Sequence, residues 1–216
     1  MKVMPVIHLE SIEQALKNAS LAQAAGAYGV FVISMEGSDE LVLPAACQIK
    51  DRFPSLFVGV NLLRLPADEA VSQSQRAGLD GTWCDNGGIS SRGTSRIGIA
   101  LGEKAVQKVS HKVFVGVAFK YQEPERDPPA AARVAQQMGL IPTTSGEATG
   151  VAANVSKVTE MRSALRDGPL ALASGLTPEN VSQYSGLITH ALVATGISRD
   201  FHNLDPERLN ALIERA

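Results

Sequence analysis

Apolar runs of strand length alternate with amphipathic stretches of helix length eight times along this chain of 216 residues. The runs that predict strands are Val3–His8, Gly29–Ser34, Leu56–Val60, Asp80–Cys84, Val113–Phe119, Leu140–Thr144, Leu170–Ala173 and Ala191–Ala194. Strands that alternate with helices predict a parallel sheet with helices packed on its faces. Because an open doubly wound sheet usually has five or six strands, eight units favour closure into a (β/α)₈ barrel.

The length of the chain limits what surrounds such a barrel. Barrels of this class usually have about 250 residues and seldom fewer than about 200, so a barrel of 216 residues must have short loops. No linker and no shift in composition divides the chain, which predicts a single domain over residues 1–216. The proline cluster Pro124, Pro128 and Pro129 is interpreted as a loop after the fifth strand.

Capping residues mark the starts of several helices. Ser11 is a typical N-cap, and Gln14 three residues later completes a capping box. Asp205 is predicted to cap the last helix, with a proline in the first turn. Thr177-Pro178 is predicted to open a helix after the seventh strand.

Charge and composition exclude several functions. The net charge of −2 gives no bulk attraction to nucleic acid or to an anionic membrane surface, and no run of about 18 apolar residues predicts a membrane span. The two cysteines, Cys47 and Cys84, lack metal-ligand spacing and are typical of reduced thiols in a cytoplasmic protein. No cofactor motif is present, and a divalent metal stays an open alternative that no motif supports. The sequence does not determine the oligomeric state, so a homo-oligomer stays among the alternatives.

Two glycine-containing loops predict a phosphate site. Ser174-Gly175 follows the seventh strand and Thr195-Gly196 follows the eighth. Phosphate sites in (β/α)₈ barrels are often built from these two loops, whose backbone N–H groups bind the anion at a helix start. Gly146, in the loop after the sixth strand, is a third candidate. The alternative is that these glycines serve only tight turns and helix caps.

Candidate reacting groups lie at other strand ends. Lys120 follows the fifth strand, where a lysine either forms a Schiff base or neutralises ligand charge. Asp85 and Glu36 are candidates for acid–base chemistry, and His8 at the end of the first strand is a candidate general base. For each of these residues the alternative is a solvated or structurally satisfied side chain.

Two polar residues follow the third strand and are predicted to contact the ligand. Asn61 would do so through its amide, and Arg64 would pair with a phosphate or carboxylate. A surface ion pair is the alternative for Arg64. The other histidines, His111, His190 and His202, show no metal-ligand spacing, so no metal site is predicted.

Five segments resemble the BtpA family of barrel proteins, which includes the SgcQ-like members. The segments are Pro5–Leu9, Val58–Arg64, Thr144–Gly150, Ser174–Val181 and Asp205–Arg208. The resemblance spans most of the chain. It implies a phosphate-binding barrel whose relatives are associated with photosystem I biogenesis in cyanobacteria or are described as nucleosidases or sugar-metabolism proteins. The chain departs from the family pattern at Gly116–Tyr121, which keeps the family's lysine and lacks both of its histidines.

The Ser174–Val181 stretch is also similar to phosphoribosylanthranilate isomerase. That family has a catalytic cysteine at the end of its first strand, where this chain has His8, and the Asn61–Arg64 segment favours BtpA. The sequence therefore predicts an isomerase, lyase or nucleosidase acting on a small phosphorylated metabolite, either a sugar phosphate or a nucleotide-like compound. Two alternatives stay open: a non-catalytic binding or assembly protein that retains the phosphate site, and an enzyme like the isomerase.

Overall fold

The computed structural model describes residues 1–37 and 39–216, and its eight parallel strands form a closed barrel. The strands are β1 (Lys2–His8), β2 (Gly29–Ile33), β3 (Phe57–Asn61), β4 (Gly81–Cys84), β5 (Lys112–Gly116), β6 (Ile141–Thr144), β7 (Ala171–Ala173) and β8 (His190–Val193). Each strand pairs with the next in the chain, and β8 pairs with β1, from Lys2 opposite His190 to Pro5 opposite Val193. The predicted (β/α)₈ fold is confirmed.

Seven α-helices in the described residues surround the barrel. They are α1 (Ile12–Ala24), α2 (Asp39–Arg52), α3 (Ala67–Arg76), α4 (Arg96–Gln107), α5 (Pro128–Gln137), α6 (Val155–Leu165) and α7 (Pro206–Arg215). A two-stranded hairpin, Ile89–Ser90 with Gly93–Thr94, precedes α4. It occupies the long connection between β4 and β5.

The predicted caps on α1 and α7 are confirmed. The Ser11 hydroxyl accepts a hydrogen bond from the N–H of Gln14 at 3.1 Å, and the Asp205 carboxylate accepts from two N–H groups in the first turn of α7. The Gln14 side chain, however, accepts from the N–H of Glu10 and not from that of Ser11. The capping box is therefore shifted by one residue.

The prediction that an α-helix opens at Thr177-Pro178 is wrong. A short 3₁₀ turn, Val181–Tyr184, stands in its place. Only residues 174–189 separate β7 from β8, the shortest connection between neighbouring barrel strands. The Asn180 side chain accepts from the N–H of Thr177 and donates to the carbonyl of Gly175, which closes a turn where the helix would begin.

The fifth strand ends three residues earlier than its apolar run suggests. β5 stops at Gly116, and Ala118 has a φ of 48°. This left-handed backbone conformation turns the chain away from the sheet. Val117 and Phe119 are nevertheless buried, which explains why the apolar pattern continues past the end of the strand.

Large side chains fill the inside of the barrel. Phe31, Phe57 and Phe114 contact one another edge to face or at a tilt, and Trp83 packs edge-on against Phe31. Together with Met4 they form the buried interior cluster of the barrel. Because these side chains fill the centre, a ligand can enter only from the ends of the strands.

Candidate functional site

A cavity of about 180 Å³ opens at the carboxyl-terminal end of the barrel. Polar side chains from five strand ends meet in it; they are His8, Asp85, Lys120, Ser174 and Thr195. Its apolar wall includes Val6, Trp83 and Leu192, which rise from the barrel interior. We call it the mouth cavity. It therefore brings together candidate residues from both groups, the reacting groups and the phosphate loops.

Hydrogen bonds hold the turn that carries Lys120. The backbone N–H of Lys120 donates to the Ser145 hydroxyl at 2.8 Å. The Gln122 side chain accepts from the N–H of Phe119 and donates to the carbonyls of Asp85 and Gly116. These contacts fix the lysine backbone relative to the ends of β4, β5 and β6.

The Lys120 ammonium is half-buried at the mouth. Its Nζ donates to the Thr149 hydroxyl at 3.1 Å and lies 5.6 Å from the centre of the Phe119 ring. Burial lowers the pKa of Lys120, and the nearby Asp85 carboxylate partly opposes that change. A larger fraction of the amine is therefore neutral near pH 7 than for a lysine in water.

Asp85 lies directly after β4 and faces the same cavity. Its Oδ1 accepts from the Asn61 amide at 3.0 Å. Burial raises the pKa of Asp85, while the Asn61 hydrogen bond and the charge of Lys120 act in the opposite direction. A carboxyl group of this kind keeps its proton to a higher pH than an aspartate in water does, which suits it to donating a proton. Asn61 itself is buried, and it positions Asp85 instead of lining the mouth cavity.

His8 completes the polar wall at the end of β1. Its ring packs against the Phe201 ring with centroids 4.4 Å apart, and its Nδ1 lies 3.1 Å from the Phe201 carbonyl. Because a carbonyl can only accept, this contact assigns the proton to Nδ1 and leaves Nε2 as the basic nitrogen of the neutral ring. Burial lowers the pKa of His8, which favours that neutral form.

The loops after β7 and β8 lie side by side. A Cβ added to Gly196 would overlap the carbonyl oxygen of Leu176, so the backbones are in direct contact. Ser174 and Thr195 both line the mouth cavity. Within the described part of the chain, the backbone N–H groups of Gly175, Thr195 and Gly196 donate to no protein acceptor. Unpaired N–H groups on adjacent loops suit an anion.

The loop after β7 offers fewer groups for anion binding than the sequence predicts. The N–H of Thr177 is already taken by Asn180, and no α-helix follows. No helix dipole therefore adds to the site after β7. Ser174 has a φ of 84°, a conformation that is uncommon for a residue with a side chain, and its hydroxyl accepts from the N–H of Gly150 at 2.9 Å.

Six sequence-predicted residues do not line the mouth cavity: Asn61, Gly175 and Gly196, described above, and Glu36, Arg64 and Gly146. The Glu36 carboxylate is exposed and lies 3.6 Å from His202. The Arg64 guanidinium donates to the carbonyl of Gly37, and the Arg64 N–H donates to Asp39. A Cβ on Gly146 would overlap the carbonyl of Val151, so this glycine lets its own loop, residues 145–154, fold back on itself.

Three other residues of the cavity were not predicted from the sequence. Trp83 forms part of the wall, Thr149 contacts Lys120, and Phe201 covers His8. Trp83 follows the alternation of β4, in which Thr82 and Cys84 face outward, so its inward orientation could have been predicted. Thr149 and Phe201 belong to loops without a periodic pattern, and their placement depends on tertiary contacts.

Among the described residues, no three side chains of His, Cys, Asp or Glu gather where they could hold a metal ion. None of the described helices has the length and apolarity needed to cross a membrane.

The fold and the mouth cavity define this chain as a (β/α)₈ barrel with polar groups at the carboxyl ends of its strands. No family model and no curated protein matches the sequence. The solved structures that resemble it include an isomerase and an aldolase. At the identities found, this resemblance establishes the fold alone.

Three of these structures span the whole chain. Phosphoribosyl anthranilate isomerase from Thermus thermophilus has a TM-score of 0.72 at 21% identity, and the match covers 98% of that chain. A structure described as native KDPGal has a TM-score of 0.74 at 16% identity, with 94% of it covered. The 2-keto-3-deoxy-6-phospho-gluconate aldolase from Zymomonas mobilis has a TM-score of 0.67 at 21% identity, with 91% covered.

Proposed function

We propose that this chain is an enzyme that converts a small phosphorylated carbonyl compound, such as a sugar phosphate, in the mouth cavity. One observation carries this proposal: Lys120 and Asp85 line the same cavity as Ser174 and Thr195. A single ligand can therefore contact the reacting groups and the two glycine loops at once.

The phosphate end of the ligand would lie against the loops after β7 and β8. The N–H groups of Gly175, Thr195 and Gly196 would donate to the phosphate oxygens, and the Thr195 hydroxyl would add a further donor. The Ser174 hydroxyl already donates to the carbonyl of Ala148. Bonds of this kind to a charged acceptor are stronger than those between neutral groups. They would orient the substrate with its carbonyl towards Lys120.

The carbonyl end would react with Lys120. The neutral amine attacks the carbonyl carbon, the carbonyl oxygen takes up protons and leaves as water, and an imine remains. Asp85, whose pKa is raised by burial, would carry protons to and from the substrate. Because an imine withdraws electrons from the adjacent carbon, it supports both lyase and isomerase chemistry.

A second candidate is an isomerase that works without an imine. It is favoured by the position of His8, whose Nε2 is basic and which lines the cavity together with Asp85. In this case one group removes a proton next to the carbonyl and the other returns it. Lys120 would then stabilise the negative charge that develops on the carbonyl oxygen.

The comparisons give supporting context for a phosphorylated substrate. The names of two structural neighbours, the phosphoribosyl anthranilate isomerase and the phospho-gluconate aldolase, refer to phosphorylated compounds. The BtpA resemblance is a narrower hypothesis that no family model supports. An assembly role without catalysis is the main competing function, and turnover distinguishes the two.

The test is borohydride trapping. The protein is incubated with ribose 5-phosphate, ribulose 5-phosphate or the unphosphorylated sugars, reduced, digested and analysed by mass spectrometry. We expect an adduct on the Lys120 peptide with the phosphorylated sugars only. Lys120→Ala should abolish the adduct and lower kcat/KM roughly 10³-fold or more. Lys112→Ala is the matched control, because Lys112 is an exposed lysine at the opposite end of β5.

Each other outcome has a definite meaning. Turnover without an adduct supports the isomerase without an imine. Binding of phosphorylated sugars without turnover of any compound supports a non-catalytic role. No binding of phosphorylated sugars would contradict the proposed function.

A further inference from the structure

The ammonium group of Lys157 lies between the turn that carries Lys120 and the loop that follows β6. Lys157 belongs to the first turn of α6, and it is half-buried. It does not line the mouth cavity, so it is not placed to contact a ligand there. Lysine side chains usually extend into water. One that turns into the protein needs acceptors there for its charged donors.

Two backbone carbonyls accept hydrogen bonds from this ammonium. The Lys157 Nζ donates to the carbonyl of Ser145 at 2.6 Å and to the carbonyl of Ala118 at 3.2 Å. Ala118 follows β5 and precedes Lys120 by two residues, and Ser145 comes directly after β6. Hydrogen bonds from a charged donor are stronger than those between neutral groups. One side chain therefore joins the segments that follow two neighbouring strands.

Both acceptors belong to the structure that supports Lys120. Ala118 has a left-handed backbone with a φ of 48°, a conformation that persists only where its surroundings hold it. The Ser145 hydroxyl accepts from the backbone N–H of Lys120 at 2.8 Å. Lys157 therefore binds the left-handed residue that leads to the reacting lysine and also the residue to which the backbone of that lysine is bonded.

The charge of Lys157 has no close carboxylate to balance it among the described residues, since none of their ion pairs includes this lysine. Burial lowers the pKa of Lys157, and the charge of Glu147, an exposed residue of the loop after β6, acts in the opposite direction. The two carbonyls are therefore the groups that compensate the ammonium for the water it has lost. The lysine is held by the same backbone that it holds.

We propose that Lys157 positions Lys120 for imine formation: its ammonium fastens the turn after β5 to the loop after β6, and this keeps the reacting amine directed towards the mouth cavity. This inference rests on the proposed function, because it takes Lys120 as the nucleophile. It assigns a part in the reaction to a second lysine that contacts neither the sugar nor the phosphate. Lys157 is therefore a positioning residue and not a catalytic one.

Borohydride trapping with ribose 5-phosphate tests this role. Lys157→Met keeps an unbranched side chain of similar length and removes the charged donor. We expect the rate of adduct formation on Lys120 at saturating sugar to fall roughly 10–100-fold, because a small displacement of a reacting group has an effect of this size. KM should change by less than about twofold, since the loss falls on the reaction step. The affinity for inorganic phosphate, measured by isothermal titration calorimetry, should likewise stay the same.

Two further variants and a matched control separate positioning from general stability. Lys157→Arg keeps a cation with several donors and should retain the trapping rate to within about threefold. Lys157→Gln removes the charge and shortens the side chain, and it should lose rate as Lys157→Met does. Lys108→Met is the matched control, because Lys108 is also half-buried and its Nζ donates to the carbonyl of Gln75 at 2.8 Å. Lys108 lies before the start of β5, far from the mouth cavity, so its variant should keep the full trapping rate.

Each other outcome overturns the inference. An unchanged trapping rate in Lys157→Met would do so, and so would an equal loss of rate in Lys108→Met. A loss in Lys157→Arg as large as that in Lys157→Met would show that a cation at this position is not what holds the turn. Circular dichroism checks that each variant is folded, and Lys157→Gln replaces Lys157→Met if the latter is not.

The unaltered protein distinguishes this inference from the proposed function. If it forms the Lys120 adduct while the variants behave in one of these contrary ways, the positioning role is wrong and the proposed function stands. If the unaltered protein forms no adduct on Lys120, the imine mechanism is wrong and the role of Lys157 is wrong with it.

Discussion

At the scale of single residues, the site depends on two ionisable groups that burial affects in opposite directions. Burial favours the neutral amine of Lys120 and the neutral acid of Asp85, while the attraction between their charges favours the ion pair. A neutral amine is the form that attacks a carbonyl, and a neutral carboxyl group is the form that donates a proton. Either arrangement holds one proton between the two groups.

The first prediction concerns the pH at which Lys120 becomes reactive. Since the Asp85 charge raises the pKa of Lys120, Asp85→Asn should lower that pKa further. The rate of borohydride-trapped imine formation with ribose 5-phosphate should then rise at a lower pH than in the unaltered protein. The measurement is this rate from about pH 5 to about pH 10. A rise at the same pH or at a higher pH would show that Asp85 does not act on the amine.

The second prediction concerns stability. Asp85 has a folded-state pKa above its ordinary value of 3.8, so the folded protein binds the proton more tightly than the unfolded chain. Its contribution to stability is therefore lost as the pH rises from about 3.8 through the folded-state pKa. Asp85→Asn should raise Tm at pH 7, by about 2–4 °C for each kcal/mol regained. Calorimetry should show that the gain disappears below about pH 3.8.

Asp51→Asn is the control for this measurement, because Asp51 is an exposed carboxylate on α2. It should leave Tm nearly unchanged at both pH values. Equal Tm values for Asp85→Asn and the unaltered protein at pH 7 would mean that ionised Asp85 is not destabilising.

At the scale of elements, the turn after β5 is the part that positions the reacting lysine. It contains two non-glycine residues with positive φ, Ala118 at 48° and Tyr121 at 64°. Such a backbone persists only where its surroundings hold it. The Gln122 side chain supplies three of the hydrogen bonds that do so.

The third prediction follows from this turn. Gln122→Leu keeps a side chain of similar size and leaves one N–H and two carbonyls without their partner. It should lower the free energy of unfolding by about 1–3 kcal/mol and reduce kcat/KM, because Lys120 loses its fixed position. Urea denaturation and the trapping assay measure the two effects. Gln23→Leu, on the exposed face of α1, should change neither, and similar losses in both variants would refute the role of Gln122.

At the scale of the whole molecule, closure of the barrel brings the loops after β7 and β8 next to the end of β1. The helix α7 packs across this closing seam, with Leu209 and Leu212 fully buried. The connection between β7 and β8 has no α-helix of its own, so α7 is the main cover on that side. The stability of the phosphate loops should therefore depend on α7.

The fourth prediction tests that dependence. Leu209→Ala removes a fully buried side chain and should lower the free energy of unfolding by about 2–5 kcal/mol. Leu41→Ala, at a position that is 38% exposed, should change it by less than about 0.5 kcal/mol. Both values come from urea denaturation. Similar losses in the free energy of unfolding at the two positions would contradict the claim that α7 stabilises this side of the barrel.

The sequence predicts the barrel because local patterns determine most of its elements. Every strand except β7, which is Ala-Leu-Ala, contains β-branched side chains, and caps such as Ser11 and Asp205 act within one turn of their own helix. The exceptions depend on single contacts. The helix after β7 is replaced by a turn that the Asn180 side chain closes, and the early end of β5 depends on the backbone of Ala118.

The candidate site could be predicted only in part. The fold places His8, Asp85 and Lys120 at strand ends, and closure of the barrel brings strand ends together. Glu36 and Arg64 lie a few residues further into loops, where contacts with His202 and Gly37 decide the direction of the side chain. No periodic pattern in the sequence encodes those contacts.

The most direct test of this account is a crystal structure of the protein with ribose 5-phosphate. We predict that the phosphate accepts hydrogen bonds from the N–H groups of Gly175 and Gly196, with the carbonyl end of the sugar towards Lys120. Density for the phosphate at another place, or side chains of the protein occupying the two loops, would contradict the central claim that these loops form a phosphate site.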